Sequence, residues 1–138
     1  MDVSAGQASC LPLTGERTVP GVVEENYWFR RHEAAYLALA RHCTDALVLE
    51  AGCGEGYGAD LLAGVARRVI AVDYDEPAVA HVRARYPAVD VLRANLVLLP
   101  ARSDAVDVVA NFQVIEHLWD QIGFLAECRR VLRPVAFC

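Results

Sequence analysis

Val48-Leu49-Glu50-Ala51-Gly52-Cys53-Gly54-Glu55-Gly56-Tyr57-Gly58 is the stretch that decides the fold of this chain. An apolar run, Ala46 to Leu49, ends on an acid and gives way to alternating glycines, and a helical pattern begins near Ala59. A buried strand therefore delivers the backbone to a tight turn, and the turn opens a helix. Glycine suits such a turn because it tolerates positive φ and lets a ligand approach the main chain closely. The free N–H groups of a helix start favour negative charge, so a nucleotide-type ligand site is expected here.

Outward from the turn, strand-like and helical patterns alternate. Ala46–Glu50 reads as the first strand, Tyr57–Ala66 as a helix and Arg68–Asp73 as the second strand. Glu76–Tyr86 is a second helix, with Asp75 as its N-cap and Pro77 in the first turn. Val89–Arg93 and Asp107–Asn111 complete four strands, and Asp120–Leu132 is a further crossover helix closed by Arg133-Pro134. Short apolar strands separated by helices of about ten residues imply βαβ units and a parallel sheet. Right-handed crossovers make that sheet doubly wound, an α/β fold. Before it, residues 1–23 read as a flexible lead-in. Residues 24–43 read as a covering helix, with Glu24 and Glu25 in its first turn and Tyr27, Trp28, Phe29, Tyr36 and Leu37 on a broad apolar face. Residues 24–138 form one domain, with the βαβ core at 46–134.

Composition narrows the function classes. The 138 residues are 55% hydrophobic and 22% charged with a net charge of −5, which fits one folded domain and disfavours non-specific binding to nucleic acid or anionic membrane. All thirteen cations are arginine, which removes lysine Schiff-base chemistry and a P-loop lysine. Cys10, Cys43, Cys53, Cys128 and Cys138 are odd in number and dispersed, favouring neither a disulfide framework nor a zinc site, and no metal site is expected. Cys53 is a small side chain that fits the glycine turn. With no signal-peptide pattern at the N-terminus and no apolar run of about 20 residues, a cytoplasmic protein without a membrane partner is expected. His32, His42 and His81 show no ligand spacing and are expected at the surface, and Arg129, Arg130 and Arg133 suit a helix C-terminus.

Ligands of open parallel sheets bind beyond the carboxyl ends of the strands. Asp73 lies there, 21 residues beyond Gly52, where an acid accepts hydrogen bonds from both hydroxyls of a ribose. The glycines by themselves admit two patterns. Gly54-Glu55-Gly56-Tyr57-Gly58-Ala59 satisfies G-x-G-x-x-G/A, a dinucleotide turn, whereas Glu50-x-Gly52-x-Gly54-x-Gly56 places the acid two residues ahead of the first glycine.

Taken with Val72-Asp73, Val114-Ile115-Glu116-His117-Leu118 and Glu127-Cys128-Arg129-Arg130-Val131-Leu132-Arg133-Pro134, the second pattern resembles class I S-adenosylmethionine-dependent methyltransferases of the type 11-like group. The resemblance runs from about Ala46 to Pro134, with the motifs in the family's order. It implies a Rossmann-like methyltransferase sheet of strand order 3-2-1-4 with an N-terminal helix, and S-adenosylmethionine as cofactor. Gly52, Cys53, Gly54 and Gly56 would pass beneath that cofactor, and Glu50 would orient the loop and the amino-acid end. Asp73 would bind the ribose, Tyr74 would border the adenine, and Asn95, where the family commonly has Asp, would accept from the adenine amino group. Asn111, Phe112 and Gln113 would flank the methionine portion and the methyl group. His117 would act as general base on a substrate hydroxyl, although a packing role at a helix start is the simpler account.

The segment from Gly15 to Pro20 with Glu25 to Tyr36 is similar to the lead-in of bacterial, especially actinobacterial, methyltransferases linked to sugar and polysaccharide modification. A small-molecule or glycan hydroxyl is thereby implied as the methyl acceptor. The family's domain normally has seven strands and four are present here, so a C-terminally truncated enzyme is expected. The fourth strand would be an exposed edge able to self-associate. A non-catalytic cofactor-binding remnant, an NAD-binding oxidoreductase fragment and a non-enzymatic interaction module are the competing expectations.

Overall fold

The structure, a computed structural model, describes residue 11, residues 18–23 and residues 26–135. Most of the expected lead-in lies outside the described residues, as do Glu24, Glu25, Cys10 and Cys138. The chain runs α1 (Asn26–Ala40), β1 (Leu47–Ala51), α2 (Tyr57–Ala63), β2 (Arg68–Asp73), α3 (Glu76–Arg85), β3 (Asp90–Arg93), β4 (Val108–Ala110), a 3-10 turn at Ile115–His117 and α4 (Gln121–Val131). All three strand pairings are parallel and the order is β3-β2-β1-β4. The chain thus steps outward from β1 to β3 and then returns to the other side of β1. That reversal opens a crevice between β1 and β4, the place where sheets of this kind hold ligands.

Both faces of the two central strands are covered, which is why they read as continuous apolar runs. Val48, Val69 and Ala71 meet Leu62, Val79 and Val82 on the face packed by α2 and α3. Leu49, Ala51 and Val72 face the opposite way, against Phe124 and Val131 of α4 and Leu96 and Leu99 of the β3–β4 connection. Tyr36 is the buried residue of α1, whereas Trp28 and Leu37 of the expected apolar face are exposed. The reason is that α1 packs chiefly on α2 along a narrow stripe, with Tyr36 reaching the end of β1.

Several boundaries differ from the sequence pattern by a few residues. The α2 helix stops at Ala63 and not Ala66, because Gly64 closes it with a backbone bond to Leu61. Asp107 is not part of β4. Its carboxylate accepts the Leu47 N–H at 2.8 Å and pairs with Arg133 at 2.8 Å, and the Leu47 bond, helped by Arg133 and Arg67, lowers its pKa. Arg130 is not a simple helix-dipole cation either. Its guanidinium donates to the carbonyls of Ala101 at 2.8 Å and Leu99 at 3.1 Å while pairing with Glu127, and Glu127 accepts the Leu99 N–H at 2.8 Å. This clamp holds the irregular connection in which Asn95 and Leu96 reach the crevice.

The edge expected at β4 is partly covered. After α4 the backbone extends, and Leu132 bridges Val106 in parallel, so the sheet begins a further rung ahead of β4. No helix of the described residues is long and apolar enough to cross a membrane.

Candidate functional site

The β1–α2 turn is shaped by two glycines whose conformations exclude other residues. Gly52 has φ +82, and a Cβ there would lie 2.5 Å from Val114. Gly56 has φ +97, and a Cβ there would meet Val82 at 2.6 Å and the Tyr86 ring at 3.0 Å. Positive φ already disfavours a side chain, and the close packing forbids one. The turn is therefore pressed between α3 on one side and the segment after β4 on the other.

Asp73, the last residue of β2, stands across from the turn. One of its carboxylate oxygens accepts the Gly54 N–H at 2.9 Å and the other accepts the Asp75 N–H at 2.9 Å. Asp75 is the N-cap of α3, yet its side chain makes no capping bond. The acid that organises this corner is Asp73. Each of its oxygens keeps a second lone pair, so the carboxylate can still accept from two neighbouring hydroxyls.

A cleft of about 490 Å³ opens beside it, lined by Gly52, Gly54, Asp73, Tyr74, Asn95, Gln113 and His117 of the expected residues. Asp75, Leu96, Val114 and Leu118 complete the wall. The Tyr74 ring is exposed and lies 5.4 Å from the Arg93 guanidinium carbon, and Arg93 also donates to the Tyr74 carbonyl at 2.9 Å. Asn95 accepts the Val97 N–H at 3.1 Å through its side-chain oxygen, which leaves that oxygen one further lone pair. Gln113 sits at φ +57, a conformation few non-glycine residues adopt. Leu96 is the apolar surface that sequence inspection overlooked, since no spacing marks one leucine of a loop as a wall.

A smaller recess continues from this cleft, sharing Gly52, Gly54, Gln113 and Val114 and adding Cys53, Glu55, Tyr57, Phe112, Thr18, His32 and Tyr36. Cys53 is buried, and Phe112 packs edge-on against Tyr36 with ring centroids 4.7 Å apart.

Three expected residues stand behind the walls. Gly56 lines neither space and serves the packing described above. Asn111 donates from Nδ2 to the Ala51 carbonyl at 2.8 Å, tying the end of β4 to the end of β1. Glu50 is 1% exposed and its Oε1 accepts from the Tyr36 hydroxyl, while Oε2 has no hydrogen-bond partner among the described residues. Burial pushes the Glu50 pKa up to about 8, against the lowering effect of the Tyr36 bond and with a further rise from Asp73. Tyr36 stands between Glu50 and the recess.

Two histidines expected at the surface are partly enclosed. His81 Nε2 lies 2.8 Å from a Glu55 oxygen with its side chain 12% exposed. Glu55, itself buried, also accepts from the Tyr86 hydroxyl at 2.8 and 3.0 Å and from the Tyr57 N–H at 3.1 Å. This network bolts the glycine turn to α3. An acid flanked by two glycines was the available signal, but its partners lie 26 and 31 residues away. His32 is half-buried, with Nδ1 3.0 Å from the Tyr57 hydroxyl, and burial, opposed by Glu116 and aided by Arg31, lowers its pKa.

Among the described residues no group of three His, Cys, Asp or Glu side chains could hold a metal ion. What the crevice offers is a turn that admits close approach, a carboxylate with acceptor capacity for a diol, and an apolar and aromatic wall. Those features suit a nucleoside.

Comparison with known proteins agrees with that chemistry. Residues 49–138 match the family described as "Methyltransferase domain". A protein of Mycolicibacterium smegmatis described as a probable S-adenosylmethionine-dependent methyltransferase is 70% identical over 126 residues, covering 91% of this chain and 49% of that protein. A ubiquinone biosynthesis O-methyltransferase of Roseobacter denitrificans is 33% identical over 91 residues, 63% of this chain and 37% of its own length. A solved S-adenosylmethionine dependent methyltransferase from Mesorhizobium loti superposes with a TM-score of 0.67 at 22% identity, covering 73% of this chain and 48% of its own, and so speaks for the fold. The chain spans about half the length of the mycobacterial relative. Because the family match takes in the glycine turn, Asp73 and the Glu116-His117 segment together, the chain belongs to the methyltransferase domain family.

Proposed function

We propose that the chain binds S-adenosylmethionine in the crevice and transfers its methyl group to a hydroxyl of a small-molecule or glycan acceptor. The observation that carries the proposal is Asp73. It holds the glycine turn through the Gly54 N–H and still faces the cleft with acceptor capacity. A ribose diol fits that capacity, with Tyr74, Leu96 and Asn95 around the attached base and Gly52, Gly54 and Gln113 along the remainder of the ligand.

Bound there, the cofactor supplies an electrophilic methyl carbon. The contribution of this chain is chiefly position, because methyl transfer depends on in-line placement of the acceptor oxygen. His117 is exposed on the cleft wall and is the group proposed to take the acceptor proton. The hydroxyl acceptor is supported by similarity to ubiquinone biosynthesis O-methyltransferases, and the glycan alternative by the aromatic and arginine residues of α1, where Arg31 lies 5.6 Å from the Trp28 ring centre and 5.7 Å from that of Tyr27. A cytosolic location belongs to the same proposal, supported by the dispersed cysteines.

Calorimetry tests the central step. S-adenosylmethionine and S-adenosylhomocysteine are expected to bind the protein with micromolar affinity, about −8 kcal/mol, and NAD to bind at least 100-fold more weakly. NAD binding without S-adenosylhomocysteine binding would favour the oxidoreductase alternative and sink the proposal.

A separate part of the proposal concerns the edge beyond Val106. With no described strand pairing on the outer side of Val108–Ala110, that short edge is open to a second copy. Sedimentation across a concentration series should then show reversible dimerisation, reduced by a proline at Val109. A monomer at every concentration would remove it.

A further inference from the structure

Helix α3 is tied to the glycine turn at both of its ends. At its start, Asp73 accepts the Asp75 N–H with one carboxylate oxygen and the Gly54 N–H with the other, each at 2.9 Å. Toward its far end, His81 and Tyr86 reach Glu55, the residue next to Gly54. The Tyr86 hydroxyl is shared between the two Glu55 oxygens at 2.8 and 3.0 Å, and His81 Nε2 lies 2.8 Å from one of them. The other oxygen also accepts the Tyr57 N–H at 3.1 Å. The contacts therefore close on themselves, from Asp73 through Gly54 and Glu55 to α3 and back to Asp73.

Glu55 is 4% exposed, and a buried carboxylate is destabilising unless donors meet it. A carboxylate can only accept, so Nε2 of His81 carries the proton of that contact. Burial, and then the Glu55 carboxylate, push the Tyr86 pKa up, which keeps its hydroxyl a donor. Packing of the turn on α3 needs none of this, since Gly56 already presses on Val82 and the Tyr86 ring. What the hydrogen bonds add is direction. Gly54 at φ +54 and Gly56 at φ +97 flank Glu55, and glycine leaves the backbone on both sides free to swing unless the residue between them is tethered. The Gly54 N–H is bonded to the Asp73 carboxylate that faces the cleft, so a swing of the turn would turn that acid as well.

We infer that Glu55, His81 and Tyr86 are positioning residues which, acting through the Gly54–Asp73 bond, hold the turn and the Asp73 carboxylate in the geometry that receives the ligand. None of the three lines the cleft, so their effect on the ligand is indirect. The role rests on the proposed S-adenosylmethionine site. It makes the far end of α3 a determinant of ligand affinity, because a cradle ordered in advance spares the ligand the work of ordering it.

Calorimetry with S-adenosylhomocysteine on the full chain is the test. Tyr86→Phe keeps the ring against Gly56 and loses the hydroxyl, and His81→Leu loses the imidazole donor. Each is expected to weaken binding about three- to tenfold, the scale of ordering a side chain or two and their loop on binding. His81→Gln, which keeps a side-chain N–H donor, should restore affinity to within about twofold of wild type. Asp107→Asn serves as the control, since Asp107 bonds the Leu47 N–H at the opposite end of β1. That variant should lose stability in urea and still bind within about twofold of wild type. In an Asp73→Asn background, Tyr86→Phe should add less than about a twofold loss, because the two act through one bond. In the ligand-free protein, Tyr86→Phe should also speed hydrogen exchange at the Gly54 amide. Wild-type affinity in both Tyr86→Phe and His81→Leu would overturn the inference while leaving the ligand site standing. So would an affinity loss in Asp107→Asn that matched theirs, or full additivity with Asp73→Asn. A wild-type protein that bound no S-adenosylhomocysteine would instead remove the ligand site, and the positioning role with it.

Discussion

Asp73→Ala is expected to weaken S-adenosylhomocysteine binding by at least 100-fold, the largest effect of any single substitution in the crevice. Two losses combine. The charged acceptor for a diol disappears, at about 1.5–3 kcal/mol for each hydrogen bond to a charged group. The Gly54 and Asp75 N–H groups also lose their common partner, so the turn and the start of α3 loosen together. Asp73→Asn separates these contributions. Its amide oxygen can keep one backbone bond, but the charge is gone, and an intermediate loss of about tenfold is expected. Calorimetry at matched folded fraction is the measurement, with circular dichroism to establish that fraction. An alanine variant that stayed folded and bound S-adenosylhomocysteine at wild-type affinity would remove Asp73 from the site.

Glu50 is expected to make the protein less stable as pH rises from about 4.5 to about 8. Its pKa is raised in the folded state to about 8 from an ordinary value of 4.5, chiefly by burial. Across that window the folded chain therefore holds a proton on Glu50 that the unfolded chain has released. Where the native state binds more protons, unfolding free energy falls with pH. The stabilising neutral form is fully present below pH 4.5, and the loss is complete above pH 8. The size is on the order of 5 kcal/mol, since each tenfold change in proton affinity is worth about 1.4 kcal/mol. Glu50→Gln keeps an acceptor for the Tyr36 hydroxyl and cannot ionise. Urea unfolding of both proteins at pH 5, 7 and 9 should show the variant gaining on the wild type as pH increases. Parallel pH profiles would mean that Glu50 is solvated or otherwise compensated. Tyr36, whose pKa is pushed far up by burial and by Glu50, keeps its proton throughout and remains the donor.

Much of the fold was legible in the chain because it depends on short-range chemistry. Strand runs such as Val69-Ile70-Ala71-Val72, Pro77 in the first turn of α3 and the glycines of the turn each declare a local conformation. Parallel pairing then follows from the alternation of strands and helices, while the β3-β2-β1-β4 order is the one that the family resemblance implied. Asp73 was visible for the same reason, since a strand end at a set distance past a glycine turn is a position that spacing can specify.

What spacing could not specify were contacts between distant segments. Nothing in the spacing assigned a partner to Glu55, and the fold made it the acceptor for Tyr86 and the partner of His81. Asn111 was marked by the resemblance alone, and its bond to the Ala51 carbonyl, which clips β4 to β1, had no signal in the spacing. Arg130 suited a helix end, yet it braces the loop that carries Asn95 and Leu96. In each case the deciding quantity is where a buried donor or acceptor finds its partner, and burial is a property of the packed chain alone.

The glycine turn shows the division most clearly. The residues themselves dictate that the backbone turns sharply after β1 and that an acid closes β2, because positive φ at Gly52 and Gly56 is open to little else. That the acid before the turn, Glu50, lies sealed behind Tyr36, and that Thr18 and His32 reach the same recess, was decided by the docking of α1 on α2. Local sterics act on neighbours in sequence, whereas desolvation acts on whatever the finished fold encloses.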